Sequence, residues 1–99
     1  MTDPTTFEGA VHAVMSELEV LMVSKHRDYS SANIMEFGEL GVLMRANDKM
    51  ARLKNLVPAG KTPNHEGIED SWMDLANYGV IALMLRRGWF TLPLSEDVA

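Results

Sequence analysis

The sequence predicts an all-α fold, in which a three-helix protomer forms a helical bundle that is completed by oligomerisation. Apolar residues recur at intervals of three and four along three long segments, and no segment alternates as a β-strand does. Turn-forming residues separate the three segments. With 99 residues, 46% of them apolar and 23% charged, the chain has the size and composition of a single soluble globular domain, residues 1–99.

The first predicted helix covers about residues 5–26. Thr5 and Glu8 have the spacing of a capping box and follow Pro4, which favours a helix start. The connector after this helix, KHRDYSSAN, is rich in side chains that favour turns. Along the helix, apolar side chains at four-three spacing predict a face that packs on a core: Phe7, Val11, Val14, Leu18 and Leu21.

The second and third predicted helices cover about residues 35–57 and 66–87. The second stops before Pro58, because a proline disfavours the helical conformation of the residue that precedes it. A loop, PAGKTPN, separates the two helices, and Gly88 provides a C-terminal cap for the third. The C-terminal tail, residues 88–99, begins with apolar side chains that are suited to packing.

The third predicted helix also indicates that copies of the chain associate. From residue 80 to residue 85 it is apolar nearly all round, and such a helix is normally buried on every side. Two covering helices are too few to bury it. We therefore expect a homo-oligomer, a dimer or a tetramer, whose helices complete a four-helix-type core.

Composition argues against several functional classes. The net charge of −5 argues against DNA binding, which requires a basic surface to neutralise phosphates. No apolar run approaches the ~20 residues that span a bilayer, so we expect no membrane association, and the segment MTDPTTFEGA lacks the pattern of a signal peptide. The absence of cysteine excludes a thiolate metal site and fits a cytoplasmic protein.

Two pairs of acidic residues lie on helical faces that also carry apolar side chains. Glu36 and Glu39 are one turn apart on the second predicted helix. Asp70 and Asp74 are one turn apart on the third, and Asn77 follows. Because inward carboxylates repel one another, the pattern predicts a cation, and oxygen ligands of this kind suit Mg²⁺ or Mn²⁺. The alternative is that the acids pair with nearby basic residues or lie at a solvated end of the bundle.

A basic stripe on the second predicted helix suits phosphate. Arg45, Lys49 and Arg52 follow one another at intervals of four and three, so they share one face. Arginine offers a phosphate bidentate contacts and lysine a point charge, although such a stripe is also typical of an ordinary solvated face. In the connector, Lys25 could hold a phosphate and Tyr29 could stack on a base, or the segment simply joins two helices.

Three segments of the chain resemble a known family. KHRDYSSAN, GELGVLMRANDKMARLKNL and EDSWMDLANYG are similar to the motifs K-x-x-D-Y-(G/S), R-x-x-D-K-x-x-R-L and D-x-x-x-D-L-A-N-Y. These motifs belong to a small phage and prophage family that is described as a nucleotide-modification-associated domain. The resemblance covers residues 25–87. It implies a phage protein associated with nucleotides, cytoplasmic in the bacterial host, and defines no reaction.

More distantly, the acidic pairs resemble those of the all-α, MazG-like nucleoside triphosphate pyrophosphohydrolases. That family implies a helical dimer or tetramer in which E-x-x-E and E-x-x-D pairs hold Mg²⁺, and water splits the α–β phosphate bond of a (d)NTP. Glu36 and Glu39 match the first pair, and Asp74 matches the last acid. Ser71 stands where the family has glutamate, so Asp70 would have to substitute from the next turn.

The two acidic pairs are far apart in a simple hairpin and can meet in only two ways. In an antiparallel hairpin of the second and third helices, Asp70 lies near Arg52, and Glu36 lies more than ~20 Å away. The two pairs meet if the second helix breaks around residues 46–48, or if they come from different subunits. Otherwise the aspartates are partners of the basic stripe.

The sequence therefore predicts a Mg²⁺-dependent nucleotide-binding protein, a (d)NTP pyrophosphohydrolase-like enzyme. It does not identify a catalytic residue. The acidic pairs would hold the metal ion, and the basic stripe and Lys25 would hold the phosphates. Asn77 and Tyr29 would contact the sugar or base. Two alternatives stay open: a non-catalytic protein that sequesters a nucleotide, and a small helical module that docks on a protein partner.

Overall fold

The computed structural model describes residues 2–63 and 67–95. Over these residues the regular structure is entirely helical, so the predicted all-α class is confirmed, with four helices in place of three. No helix in the described ranges is long and apolar enough to cross a membrane. The predicted start of the third helix at residue 66 and the tail residues 96–99 lie outside the described residues. The four helices are α1 (Phe7–Tyr29), α2 (Ala32–Met35), α3 (Gly38–Leu56) and α4 (Ile68–Arg86).

The chain divides into two compact units, and the first, which ends at Ser30, consists of α1. Thr6 caps this helix, because its extended backbone lets its Oγ1 accept a hydrogen bond of 3.0 Å from the Gly9 amide. The cap therefore lies one residue beyond the predicted Thr5. α1 ends at Tyr29, so the first half of the KHRDYSSAN connector is helical.

The second unit begins with α2, a single turn that a sharp bend separates from α3. Gly38 makes this bend with a φ of 61°, a left-handed conformation that glycine adopts without steric cost. Gly41 lets Phe37 pack on the first turn of α3, since a Cβ at position 41 would lie 2.7 Å from the Phe37 Cβ. The predicted second helix is therefore interrupted: Glu36 follows α2, whereas Glu39 lies in the first turn of α3.

α3 and α4 form an antiparallel hairpin. Near the connecting loop, Arg52 of α3 contacts Ser71 of α4. At the other end, Glu39 of α3 contacts Arg86 of α4. α3 is continuous, so the chain does not double back around residues 46–48. The buried apolar side chains described in this unit are few: Val42, Leu53, Leu56 and Phe90.

The face of α4 that meets α3 is polar. The buried residues of α4 are Ser71, Asp74 and Asn77, whereas Trp72 and Leu83 are about half exposed. The segment 80–85 is therefore not buried on every side within one chain. Within this segment Leu83 is exposed and the other residues are half-buried, whereas the fully buried positions of α4 lie in its first half.

α4 ends in a glycine cap. Gly88 has a φ of 72°, and its amide donates a hydrogen bond of 3.1 Å to the Leu85 carbonyl. The Trp89 amide donates a second one, of 2.8 Å, to the Met84 carbonyl. Phe90, two residues after Gly88, is buried.

Candidate functional site

A ladder of polar side chains joins α3 to α4. Lys49 Nζ lies 3.0 Å from Asp74 Oδ2, and Arg52 Nη1 donates a hydrogen bond of 3.0 Å to Ser71 Oγ. Asn77 lies one turn beyond Asp74 on the same face of α4. We call these five residues the polar ladder. They are spaced by three residues on each helix, an interval that keeps successive side chains on one face.

The α4 side of the polar ladder is deeply buried. Ser71 is 0% exposed, Asp74 7% and Asn77 6%. A buried carboxylate requires a compensating charge, and Lys49, whose side chain is 20% exposed, provides it for Asp74. The Oδ1 atom of Asn77 accepts no hydrogen bond within the described residues, while the residue takes part in another interaction. The one acidic member of the ladder therefore faces a cation of the same chain.

The basic stripe lies along the same side of α3. Arg45, Lys49 and Arg52 are all half-buried, whereas Asp48 beside them is exposed. Arg45 Nη2 donates a hydrogen bond of 3.1 Å to Asn33 Oδ1, so α2 holds the first residue of the stripe. In this contact and in the Arg52 contact to the ladder, the acceptor is a neutral oxygen. Three half-buried cations and one buried acid therefore lie along this side of the hairpin, and arginine and lysine side chains are groups that can bind an anion.

Asp70 caps α4. It is exposed, and its Oδ2 accepts a hydrogen bond of 3.1 Å from the Gly67 amide. A carboxylate in the first turn also interacts favourably with the helix dipole. Ser71, which stands at the glutamate position of the MazG-like pattern, is instead fully buried and bonded to Arg52. Asp70 and Asp74 therefore lie in different environments, one at the helix start and one in the ladder.

The two glutamates lie at the opposite end of the hairpin. Glu39 Oε2 is 2.8 Å from Arg86 Nε, and both side chains are exposed. The hydrogen bond from this guanidinium to Glu39, together with the charge of that carboxylate, raises the pKa of Arg86 above its usual value. Glu36 is exposed at the end of α2. At 1.5 Å per residue, the length of α3 keeps Glu39 roughly 20 Å from Arg52.

One protomer does not gather the four predicted metal ligands. Across residues 2–63 and 67–95, no group of three or more histidine, cysteine, aspartate or glutamate side chains is arranged to hold a metal ion. Asp74 faces Lys49 and Glu39 faces Arg86, so these two carboxylates each have a cation beside them. A Mg²⁺ or Mn²⁺ site formed by both acidic pairs would therefore require a second copy of the chain.

Two of the predicted ligand contacts lie in the first unit. Lys25 and Tyr29 occupy the last turns of α1, where both side chains are exposed. The polar ladder, in contrast, is formed entirely by residues of the second unit. The predicted contacts therefore fall into two separate parts of the chain.

Two contacts of the site were not predicted from the sequence. The MazG-like pattern presents Ser71 as a missing glutamate, whereas its hydroxyl accepts a hydrogen bond from Arg52. Its position three residues before Asp74 places it on the ladder face, and this spacing could have identified it. Asn33 had no such signal, because it lies in a different helix from its partner, Arg45.

Most of the chain matches a known family. The family described as nucleotide modification associated domain 1 matches residues 25–85. No curated protein matches the chain significantly, and no solved structure does so. The matched segment extends from the end of α1 into the last turn of α4, and it contains the basic stripe and the whole polar ladder.

Proposed function

The chain belongs to the nucleotide modification associated domain 1 family, and on that basis we propose that it binds the phosphate groups of a nucleotide at the basic stripe and polar ladder. The observation that carries this proposal is the charge of the site. Arg45, Lys49 and Arg52 are half-buried, and the buried acid among them is Asp74. Half-buried cations attract an anion more strongly than fully solvated ones, because less water screens the interaction.

In this proposal the two arginines bind the phosphate directly. The hydrogen bonds to Asn33 and Ser71 orient the planar guanidinium groups of Arg45 and Arg52. A phosphate that approaches an oriented guanidinium can accept two parallel hydrogen bonds from it. Lys49 has a positioning role, because its ammonium lies against the Asp74 carboxylate.

Asn77 provides the contact that would distinguish a nucleotide from inorganic phosphate. It is buried on the ladder face of α4, one turn from Asp74. A side-chain amide offers both a donor and an acceptor, which are the groups needed to read a sugar hydroxyl or a base edge. The nucleotide would therefore lie along the ladder, with its phosphates between Arg45 and Arg52.

Calorimetric titration with nucleoside mono-, di- and triphosphates, in the presence of EDTA, tests this proposal. We expect at least one nucleotide to bind and the matching nucleoside to bind much more weakly, because the phosphate carries the charge. Arg52→Gln should weaken binding roughly tenfold or more, since charge-assisted hydrogen bonds are lost.

Lys54→Gln is the matched control for this titration. Lys54 is exposed on the opposite side of α3 from the basic stripe, and its loss should change the affinity by less than about twofold. Circular dichroism confirms that both variants are folded. Equal nucleotide affinity for Arg52→Gln and the unchanged protein would contradict the proposal.

A second proposal comes from the resemblance to MazG-like enzymes, namely Mg²⁺-dependent pyrophosphohydrolysis of a (d)NTP. It is supported by the match of Glu36, Glu39 and Asp74 to the metal-binding pattern of those enzymes. Because one protomer does not gather these acids, the activity would need two copies of the chain. Pyrophosphate release that Glu39→Gln abolishes would support it. Tight nucleotide binding with no release of pyrophosphate would instead indicate that the protein sequesters the nucleotide.

A further inference from the structure

α4 carries an exposed stripe on the face opposite the polar ladder. At 100° per residue, the ladder residues of α4 centre on one side of the helix and this stripe on the other. Its large apolar members, Trp72 and Leu83, are 51% and 53% exposed. Its members recur at alternating intervals of three and four, as in helices that pack along their length. We define the outer stripe as six exposed residues: Glu69, Trp72, Ala76, Gly79, Leu83 and Arg86.

Gly79 lies in the middle of the outer stripe, and its own chain does not require it there. Glycine destabilises a helix interior relative to alanine. A Cβ at position 79 would meet nothing within 4 Å among the described residues. Gly79 and Ala76 together place small residues at the centre of the outer stripe, between the two large side chains of Trp72 and Leu83. A backbone that approaches α4 closely from outside would account for this centre.

Two copies of the outer stripe placed antiparallel to each other are complementary in charge and in side-chain size. A two-fold axis between Ala76 and Gly79 would pair α4 with the α4 of a second copy. Opposite charges would then meet at both ends, large apolar side chains would pack inside them, and small residues would meet at the centre. Glu69 would face Arg86, Trp72 would face Leu83, and Ala76 would face Gly79, each pair joining the two copies.

We propose that the outer stripe binds a second copy of this chain in this antiparallel arrangement. The contact is isologous, so it closes at a dimer. Charge complementarity selects the direction, because parallel packing would bring Glu69 against its own counterpart and Arg86 against its own. Burial of Trp72 and Leu83 supplies the apolar contact.

The proposed dimer surface is independent of the proposed nucleotide site. The polar ladder lies on the other face of α4, so nucleotide binding and dimerisation can be measured separately. Arg86 is also compatible with both of its contacts, because Glu39 of the same chain holds one side of its guanidinium at 2.8 Å and a guanidinium has further donors.

Cysteine cross-linking tests the direction of packing, because the chain contains no cysteine of its own. The single variants Glu69→Cys and Arg86→Cys are mixed and oxidised. Antiparallel packing predicts a disulfide between the two different variants as the main product. Little product is expected from Glu69→Cys alone, since its two thiols would lie about 25 Å apart along the helices. Efficient cross-linking of Glu69→Cys with itself, or no preference in the mixture, would overturn the arrangement.

Sedimentation equilibrium tests the surface itself. The unchanged protein should be a dimer, and Ala76→Glu should weaken association roughly 100-fold or more, because it places two carboxylates at the apolar centre. Ala51→Glu is the matched control, since Ala51 is an exposed alanine within α3, and it should remain dimeric. Circular dichroism confirms the helical content of each variant. A monomeric unchanged protein, or dissociation by Ala51→Glu and not by Ala76→Glu, would overturn the proposal.

Discussion

Lys49 and Asp74 join the two helices of the hairpin through an ion pair of 3.0 Å in which the carboxylate is buried. This pair determines how both residues can act. The carboxylate is neutralised within the protomer, and the ammonium is held in place beside the arginines of the basic stripe. The acid of the ladder therefore has a structural role, since it joins α4 to α3 through Lys49.

Lys49→Met should destabilise the chain by about 3 kcal/mol, because it removes the cation that compensates the buried Asp74. The double variant Lys49→Met with Asp74→Leu should be less destabilising than Lys49→Met alone, since it removes both charges. Urea unfolding followed by circular dichroism measures the difference. Glu39→Gln, at the exposed end of the hairpin, is the control and should have little effect. A double variant less stable than the single one would contradict this role.

Ser71→Ala should cost about 1 kcal/mol, because the hydrogen bond from Arg52 is lost. Ser71→Glu restores the MazG-like residue, and we expect it to be more destabilising, by about 1–3 kcal/mol, since the fully buried site has no room for a larger side chain. Thermal unfolding compares the two variants with Ser24→Ala, a change at an exposed serine. An increase in stability with Ser71→Glu would show that the position accepts a carboxylate.

Gly38→Ala should destabilise the chain by about 1–2 kcal/mol, because the φ of 61° at this bend is unfavourable for a residue with a Cβ. Gly38→Asn should lose less stability than Gly38→Ala, since asparagine tolerates the left-handed conformation better than alanine. Chemical unfolding of both variants measures the difference. Equal losses would indicate that the bend does not depend on backbone conformation at this residue.

Thr6→Ala should destabilise α1 by about 1 kcal/mol, because its hydroxyl accepts the hydrogen bond from the Gly9 amide. Thr5→Ala is the matched control and should have little effect. Amide hydrogen exchange in the first turn of α1 provides the measurement, with faster exchange expected for Thr6→Ala alone. Faster exchange for Thr5→Ala alone would indicate that Thr5, and not Thr6, caps α1.

Helical periodicity was sufficient to predict the all-α class, because the recurrence of apolar residues in α3 and α4 is a local property of each segment. It could not predict that Glu36 and Glu39 lie on opposite sides of the break between α2 and α3. That separation depends on the left-handed backbone of Gly38, which lies between them and carries no periodic signal. From its spacing alone, the motif E-x-x-E therefore predicts two glutamates one turn apart on a single helix.

The partners of the aspartates were harder to predict, because they depend on where α4 begins and on how it is aligned with α3. α4 begins at Ile68, which places Asp70 in the first turn, where it caps the helix. The sequence left the pairing of Asp74 with the basic stripe as one alternative to a metal site, and the register of the hairpin joins Asp74 to Lys49. The sequence identified the faces that carry these residues, whereas the contacts between faces required the tertiary structure.

Nitrogen-15 NMR of the arginine side chains, recorded during titration with a nucleotide and with the matching nucleoside, tests the central proposal most directly. The guanidinium resonances of Arg45 and Arg52, assigned through single arginine-to-glutamine variants, should shift with the nucleotide and stay unchanged with the nucleoside. Those of Arg87, exposed at the end of α4, should not shift. Equal shifts with the nucleoside, or shifts confined to Arg87, would contradict a phosphate site at the polar ladder.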